Sequence, residues 1–352
     1  MRINNIEKGA YIKLIYELKF MKKIFLMIIG MLVFLISCGE KKEAKIMNTE
    51  KKSDKISIVL DWTPNTNHTG LFVAKELGYF KELGLENVEI VQPPEGSTTA
   101  LIGAGGAQFG ISFQDTLAKS FAKEDSVPVT AVAAIIQHNT SGIISLKDKG
   151  IDRPKKMEGM KYATWDDEIE KAMIKKLVID DGGDYNKIKM IPNTVTDVVT
   201  GLKTDIDAVW VYYAWDGIAT ELAGLQTNYW YFKDYGKELD YYSPVIIANN
   251  EYLKTHPEEA KKVLAAIKKG YEYAMKNPEE AAKILVKNAP EVDEKLAIAS
   301  QKWLADKYQA DAASWGIIDK NRWDTFYNWL FVNKLIEKEI PSGFGFSNDY
   351  LK

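Results

Sequence analysis

The residues that could do chemistry in this 352-residue chain lie directly after its predicted β-strands. Aromatic, amide and carboxylate side chains recur at these strand ends, whereas lysine and arginine do not. In open α/β sheets, ligands bind beyond the carboxyl ends of the strands. The strand ends therefore define a candidate binding site, and its residues are Asp61, Trp62, Asn65, His68, Gln114, Trp165, Tyr212, Trp215 and Asp216.

This set of side chains predicts a class of ligand. Indole and phenol rings such as Trp62 and Tyr212 stack on flat molecules, and amides offer paired donors and acceptors. A carboxylate accepts two hydrogen bonds side by side, so Asp216 or Asp61 would suit an exocyclic amine beside a protonated ring nitrogen. We expect a planar, neutral or weakly basic heterocycle, of which an aminopyrimidine is the simplest case. Phosphate, nitrate or sulfonate would usually call for a basic residue, although helix N-termini can hold anions unaided.

The same residues also have structural interpretations. On position alone, Trp62 and Trp165 could equally pack in a core, and a histidine such as His68 is more often a capping or core residue than a ligand contact. The glycines of 103–106 lack the lysine and the spacing of a phosphate-binding loop, so they indicate a tight turn between helix and strand.

Strands and helices alternate from residue 56 onward, which is typical of an α/β fold. The alternation restarts after about residue 146. The chain then becomes almost wholly helical over 256–337, and Pro257, Pro278 and Pro290 mark the boundaries between helices. Two α/β units with a helical tail predict two lobes, built on parallel-leaning sheets and joined by two hinge crossings. We place the crossings near 143–147 and 241–246, lobe 1 at 55–145 plus 246–352, and lobe 2 at 146–245.

Composition narrows the function classes. The formal net charge is −3 and the chain has only three arginines, which is a poor match to nucleic-acid binding. The single cysteine, Cys38, leaves no intramolecular disulfide and no thiolate metal cluster. We predict neither a bound metal nor a cofactor.

The N-terminal segment predicts export. Met21-Lys22-Lys23 is a positive start, and the apolar run of 24–36 that follows is too short for a comfortable membrane span. Leu35-Ile36-Ser37-Cys38 resembles a bacterial lipobox, in which the cysteine is lipidated; the alternative is an ordinary signal peptide with a chance cysteine. The predicted segments are a signal peptide at 1–37 and a lipidated tether at 38–54. Residues 1–20 precede a complete signal, so we expect translation to start after them.

Four motifs carry a resemblance to a known family. They are Asp61-Trp62-Thr63-Pro64-Asn65-Thr66-Asn67-His68-Thr69-Gly70 and the segments 78–85, 109–114 and 133–142. With them the chain resembles the thiamine-pyrimidine-precursor binding family of ABC importers over nearly all of 56–352. The resemblance implies a two-lobed periplasmic-binding-protein fold of type II that delivers pyrimidine fragments of thiamine to an importer.

The resemblance also implies residue roles. Trp62 and either Trp165 or Tyr212 would sandwich the pyrimidine, and Asp216 would pair with its polar edge. Asn65, His68 and Gln114 would line the pocket. The acid of the second lobe is often glutamate in this family, so Asp216 would reach less far and shift the pose of the ligand.

A eukaryotic branch of the family is a pyrimidine synthase that consumes its own histidine and a bound pyridoxal phosphate. The resemblance implies a lysine in the turn of 103–110 and a histidine after the next strand for that chemistry. This chain has Gly106 and Gln114-Asp115 there, and Tyr-Tyr-Ser-Pro-Val at 241–245 in place of a cysteine-rich run. We therefore expect no catalysed reaction.

The sequence as a whole predicts a monomeric, lipid-anchored substrate-binding protein on a bacterial membrane. Its partners would be a small heterocycle and the permease and ATPase subunits of an ABC importer. Three alternatives stay open: another flat heterocycle such as a flavin precursor, a sulfonate or nitrate, and a pyrimidine-modifying enzyme.

Overall fold

A computed structural model describes residues 55–93, 97–192 and 195–352 of the chain. Over these residues the chain forms ten β-strands and twelve α-helices, joined by short helical turns. The predicted signal peptide, the lipidation site Cys38, the tether of 38–54 and Asn193, which follows a predicted strand, lie outside the described residues.

The first sheet has five strands in the order β2-β1-β3-β10-β4. Strand β1 runs parallel to β2 and β3, and β10 is antiparallel to both β3 and β4. The sheet is therefore mixed, because β10, the last strand in sequence, lies antiparallel between β3 and β4. Its strands are β1 (Ile56–Val59), β2 (Val88–Val91), β3 (Phe109–Ser112), β4 (Val129–Ala134) and β10 (Val245–Asn249).

The second sheet repeats this plan in the order β7-β6-β8-β5-β9. Strand β6 is parallel to β7 and β8, and β5 is antiparallel to β8 and β9. Three parallel strands beside an antiparallel pair thus recur in both sheets, as the restart of the sequence pattern predicted. Its strands are β5 (Ser141–Leu146), β6 (Lys161–Thr164), β7 (Lys189–Pro192), β8 (Ala208–Tyr212) and β9 (Thr227–Tyr231).

The helices pack around these sheets, and the last four form the predicted helical tail. Pro257 and Pro278 each occupy the first turn of a tail helix, where a missing N–H costs nothing because no carbonyl precedes it in the helix. The helices are α1 (Thr69–Glu76), α2 (Tyr79–Glu82), α3 (Thr98–Gly103), α4 (Gln114–Phe121), α5 (Glu168–Asp180), α6 (Val198–Thr204), α7 (Ile218–Leu222), α8 (Asn250–Thr255), α9 (Pro257–Lys276), α10 (Pro278–Asn288), α11 (Glu294–Leu304) and α12 (Lys320–Val332).

The close contact between α1 and α9 depends on two glycines. A Cβ atom on Gly270 would lie 2.0 Å from the backbone oxygen of Gly70, which no real contact permits. Only glycine at this crossing lets the two backbones touch. The contact fixes α1, and with it the turn of 61–68 that precedes α1 and carries candidate site residues.

The chain passes between the sheets twice. It leaves the first sheet after Ala134 and enters β5 at Ser141, and it returns between Tyr231 and Val245. The first passage therefore precedes the predicted 143–147, because Ile143 and Ile144 pair with β8 and β9 and are fully buried. An apolar run that is buried on both faces belongs in a sheet centre, not in a hinge.

A charged network joins the two passages. His138 contacts Asp240 through Nδ1 (2.7 Å) and Asp311 through Nε2 (3.0 Å). Carboxylates accept hydrogen bonds, so both ring nitrogens donate and the imidazole is the cation. The hydrogen bond to Asp240 raises the pKa of His138 above its usual range, and burial opposes it. Arg322 adds a second positive group 3.7 Å from Asp240.

Among the helices of the described ranges, none combines the length and the apolar character that a membrane span requires.

Candidate functional site

A cleft of about 650 Å³ lies between the two sheets, beyond the carboxyl ends of β1, β3, β6 and β8. This volume is in the range of small-molecule sites, about 300–1,000 Å³. The cleft therefore has the position that the strand-end rule predicts. Of the nine candidate residues, seven line it: Asp61, Trp62, Asn65, Trp165, Tyr212, Trp215 and Asp216.

A short turn after β1 holds Asp61 and Trp62 in place. The Asn65 side chain caps this turn by accepting the Asn67 N–H (2.9 Å), and the Asn65 N–H donates to His68 Nδ1 (3.2 Å). Because Nδ1 accepts, the ring proton sits on Nε2 and donates to Asp61 Oδ1 (2.7 Å). Trp62, between these anchors, is 54% exposed.

Two of the candidate residues, His68 and Gln114, do not line the cleft. His68 is fully buried and orients Asp61 through its hydrogen bond to Asp61 Oδ1. Gln114 is also fully buried, and its amide donates to the Trp323 carbonyl (2.8 Å) and accepts the Tyr242 N–H (2.9 Å). Both amide ends are satisfied by backbone, so Gln114 ties β3 to the helical tail.

On the opposite side of the cleft, a buried glutamate sets the turn that carries Trp165. Glu170 is 2% exposed and accepts hydrogen bonds from Tyr162 Oη (2.7 Å), Thr164 Oγ1 (2.8 Å) and the Trp165 N–H (3.0 Å). Burial raises the pKa of the Glu170 carboxyl, and these donors oppose the shift. The Trp165 ring, 43% exposed, leans on Trp210 with ring centres 5.2 Å apart.

The turn after β8 places Tyr212, Trp215 and Asp216. It is a π-helical turn over Tyr213–Gly217, a distortion that is common at functional sites. Tyr212 stacks on Phe113 with ring centres 6.0 Å apart, and its hydroxyl lies 3.0 Å from Ser243 Oγ. This stack joins the two sides of the cleft, because Phe113 follows β3 of the first sheet and Tyr212 ends β8 of the second.

Asp216 is a carboxylate held in a poorly solvated position. Burial raises its pKa to about 6, and the negative charge of Asp197 adds to the shift. Within the described residues its side chain makes no hydrogen bond to another residue. It is therefore available to accept donors from a ligand.

Sequence reasoning missed Asp115, which lines the cleft where Gln114 does not. Its Oδ1 accepts the Thr116 N–H (2.8 Å), and Tyr241 Oη lies 3.5 Å from Oδ2. Burial raises the pKa of Asp115 to about 6. The sequence offered one signal for Asp115, its position directly after the candidate Gln114 in the first turn of α4.

The charge of the cleft wall is mainly negative. Its lining contains one cation, Lys119, among the residues that the structure describes. Lys119 forms an ion pair with Asp167, which also caps α5 by accepting the Ile169 N–H (2.8 Å). The lining carboxylates are Asp61, Asp115, Asp167, Glu170 and Asp216. Over the described ranges, no group of three or more His, Cys, Asp or Glu side chains is arranged to hold a metal ion.

Two relatives in sequence are informative. The chain is 26% identical over 329 residues to a formylaminopyrimidine-binding protein of Halalkalibacterium halodurans, covering 90% of this chain and 96% of the relative. It is 30% identical over 239 residues to the 4-amino-5-hydroxymethyl-2-methylpyrimidine phosphate synthase THI13 of Saccharomyces cerevisiae, covering 61% of this chain and 66% of that enzyme.

A solved structure shows the fold. The periplasmic aliphatic sulphonate binding protein SsuA from Escherichia coli superposes with a TM-score of 0.64 at 14% identity, over 81% of this chain and 89% of SsuA. The predicted periplasmic-binding-protein fold is thereby confirmed. The sequence profile of the family described as NMT1/THI5 like matches residues 65–281, more than half of the chain. The predicted family is confirmed as well: this chain belongs to the NMT1/THI5-like family.

Proposed function

We propose that this protein captures a pyrimidine precursor of thiamine, of the formylaminopyrimidine or hydroxymethylpyrimidine type, for an ABC importer. One observation carries the proposal. Trp62 and Trp165 project from opposite sheets into a single cleft and are 54% and 43% exposed. Two exposed indoles that line one concave cleft form an apolar surface of the kind that marks a ligand site, and a flat ring between them would cover both.

The polar groups favour an aminopyrimidine as that ring. Asp216 has no other partner among the described residues, and a carboxylate accepts a ring N–H and an exocyclic amine side by side. Ring binding would then consist of stacking on Trp62 and on Trp165 or Tyr212, with Asp216 along the polar edge. The formylaminopyrimidine-binding relative, which spans nearly the whole chain, supports this ligand class.

We further propose that the protein catalyses no reaction, although other relatives are synthases. A Schiff base with pyridoxal phosphate needs a free lysine amine. The lysine that lines the described cleft, Lys119, is in an ion pair with Asp167. Incubating the protein with pyrimidines and finding any product would favour the enzyme over the binding protein.

Delivery would use the features predicted from the N-terminus. Signal cleavage and lipidation at Cys38 would anchor an exported monomer, and a permease and an ATPase would accept its ligand. The two sheets would be the cores of two lobes that close by bending at the passages of 135–140 and 232–244. Replacing Cys38 by alanine should release the protein from membranes in a cell fractionation.

Calorimetric titration with aminopyrimidines, thiamine, riboflavin and an alkanesulfonate tests the ligand class. We expect an aminopyrimidine to bind more tightly than the other three. Binding of riboflavin alone would move the assignment to another flat heterocycle, and binding of the sulfonate alone would overturn the role of the acidic cleft. The lack of binding by any pyrimidine would refute the proposal.

A further inference from the structure

Asp115 is one of the five carboxylates that line the cleft, and it lies across the cleft from Asp216. It lies on the first-sheet side, whereas Asp216 follows β8 of the second sheet. The pKa of the Tyr212 phenol is raised by burial first, and then by the charges of Asp115 and Asp61. Asp115 and Asp61 therefore both lie near the Tyr212 hydroxyl, and we call the part of the cleft lined by these three residues its acidic end.

No lysine or arginine of the described residues forms an ion pair with Asp115 or Asp61 at this end. Lys119 is one turn along α4 from Asp115, but it forms its ion pair with Asp167, and its charge only partly offsets the effect of burial on the Asp115 pKa. The direct contacts of the Asp115 carboxylate are the Thr116 N–H and the neutral Tyr241 hydroxyl. A carboxylate in this setting is ionised only at a cost in solvation.

Within the described residues, the helix N-termini of α4, α5 and α6 lie at the cleft, and the protein's own acids occupy them; in α6 the Thr200 N–H donates to Asp197 (3.2 Å). In α4 the Thr116 N–H donates to Asp115, and in α5 the N–H groups of Ile169 and Glu170 donate to Asp167. Free N–H groups at a helix start are the usual means by which a fold holds an anion without lysine or arginine. In this cleft those N–H groups already donate to the protein's own carboxylates, so they are not free to bind an anionic ligand.

We infer that Asp115 is a specificity residue: it makes the cleft favour a pyrimidine that carries a protonated amine on its side group over one with a neutral or an anionic group. The inference rests on the proposed capture of a pyrimidine, and within that class it favours an aminomethyl side group over the neutral formylamino and hydroxymethyl groups. An ammonium group at this end would form a charge-assisted hydrogen bond and restore the charge balance of the wall. A phosphate there would meet two carboxylates, and such a mismatch excludes a ligand more strongly than a missing contact.

Three ligands that share one aminopyrimidine ring test the inference. They carry an aminomethyl, a hydroxymethyl or a phosphorylated hydroxymethyl group, and their dissociation constants would be measured by calorimetry at about pH 7.5. We expect the amine to bind at least about 10-fold more tightly than the alcohol, as a charge-assisted hydrogen bond provides. The phosphate should bind at least about 10-fold more weakly than the alcohol.

Variants connect this preference to Asp115. Asp115→Asn should reduce the ratio of amine to alcohol affinity to about 3-fold or less, and Asp115→Glu, which keeps the charge, should retain a preference for the amine. Asp125→Asn, on an exposed loop, is the control and should leave the ratio as it is.

Equal binding of amine and alcohol, or tighter binding of the phosphate, would overturn the inference while leaving a pyrimidine-binding protein. An unchanged ratio in Asp115→Asn would also overturn it. If none of the three ligands binds, the proposed function fails together with the inference. If Asp115→Asn does not fold, the ratio of amine to alcohol affinity in the unaltered protein decides whether the inference holds.

Discussion

Replacing Asp216 by asparagine should stabilise the ligand-free protein and weaken ligand binding at the same time. The carboxyl has a pKa of about 6 in the folded protein against an ordinary value of 3.8. Each pKa unit corresponds to about 1.4 kcal/mol, so holding Asp216 ionised costs the folded state up to about 3 kcal/mol. Because the side chain still reaches water in the cleft, we expect a gain of about 1–3 kcal/mol in the free energy of unfolding at pH 8.

The gain must depend on pH in one direction. Between about pH 4 and pH 6, folded Asp216 retains a proton that the unfolded chain has lost, so the stability of the unaltered protein falls as the pH rises. Above about pH 6 the cost is nearly complete, whereas near pH 4 the unfolded carboxyl is still about half ionised, and both states are protonated only below about pH 3. The advantage of Asp216→Asn should therefore be largest at pH 8, small near pH 4 and absent below about pH 3.

Urea unfolding at three pH values, together with calorimetric titration of an aminopyrimidine, measures both effects. The variant should lose about 1.5–3 kcal/mol of binding free energy, the value of a hydrogen bond to a charged group. Asp125→Asn, which removes an exposed carboxylate, should change neither quantity. An Asp216→Asn protein that is less stable than the original at pH 8 would refute the reasoning, since the carboxylate would then have a stabilising partner.

Three further substitutions test the remaining supports of the cleft. Trp62→Ala should weaken pyrimidine binding by about 1–2 kcal/mol in a fluorescence titration, yet leave the free energy of unfolding nearly unchanged, because the ring is mostly exposed. Glu170→Gln should lower the free energy of unfolding by about 1–2 kcal/mol, measured in urea, because the amide keeps only one acceptor oxygen for three donors, while the loss of a buried charge offsets part of the effect. His138→Gln should destabilise the protein most below about pH 6.5 and least at high pH, because a raised histidine pKa contributes stability that is lost as the pH rises through the folded value. Thermal unfolding across that pH range measures this last effect, and His256→Gln, on an exposed helix end, should show much less of it.

The fold could be predicted from the sequence because its signals are local. Apolar strands alternate with helices, and Pro257 and Pro278 fall where tail helices begin. The passage between the sheets was harder to predict. Ile143 and Ile144 are apolar, and that character suits both a segment that connects the two sheets and a strand paired within one of them. Only the pairing of β5 with β8 and β9, distant in sequence, assigns them to the second sheet.

The site could be predicted less completely, for a related reason. The strand-end rule finds the turns that reach the cleft but not the direction of each side chain within a turn. Gln114 and Asp115 are neighbours at the start of α4, and the contacts of Gln114 with the backbone of Trp323 and Tyr242 decide which one faces the ligand. Glu170 lies within a helix, and nothing in the sequence distinguishes it from a solvated acid.

The ligand-free cleft holds two unfavourable features that one ligand would relieve together. Trp62 and Trp165 expose apolar surface, and the poorly solvated carboxyl groups of Asp115 and Asp216 form no ion pair within the described residues. A flat ring with donors along its edge would cover the exposed tryptophan surface and give the carboxylates hydrogen-bond donors. It can do both only when both sides of the cleft contact it. The differential affinity that shifts a protein toward one conformation must come from contacts present in that conformation alone. Because the tryptophans and the acids are divided between the two sheets, the ligand itself would supply the free energy that holds the lobes closed.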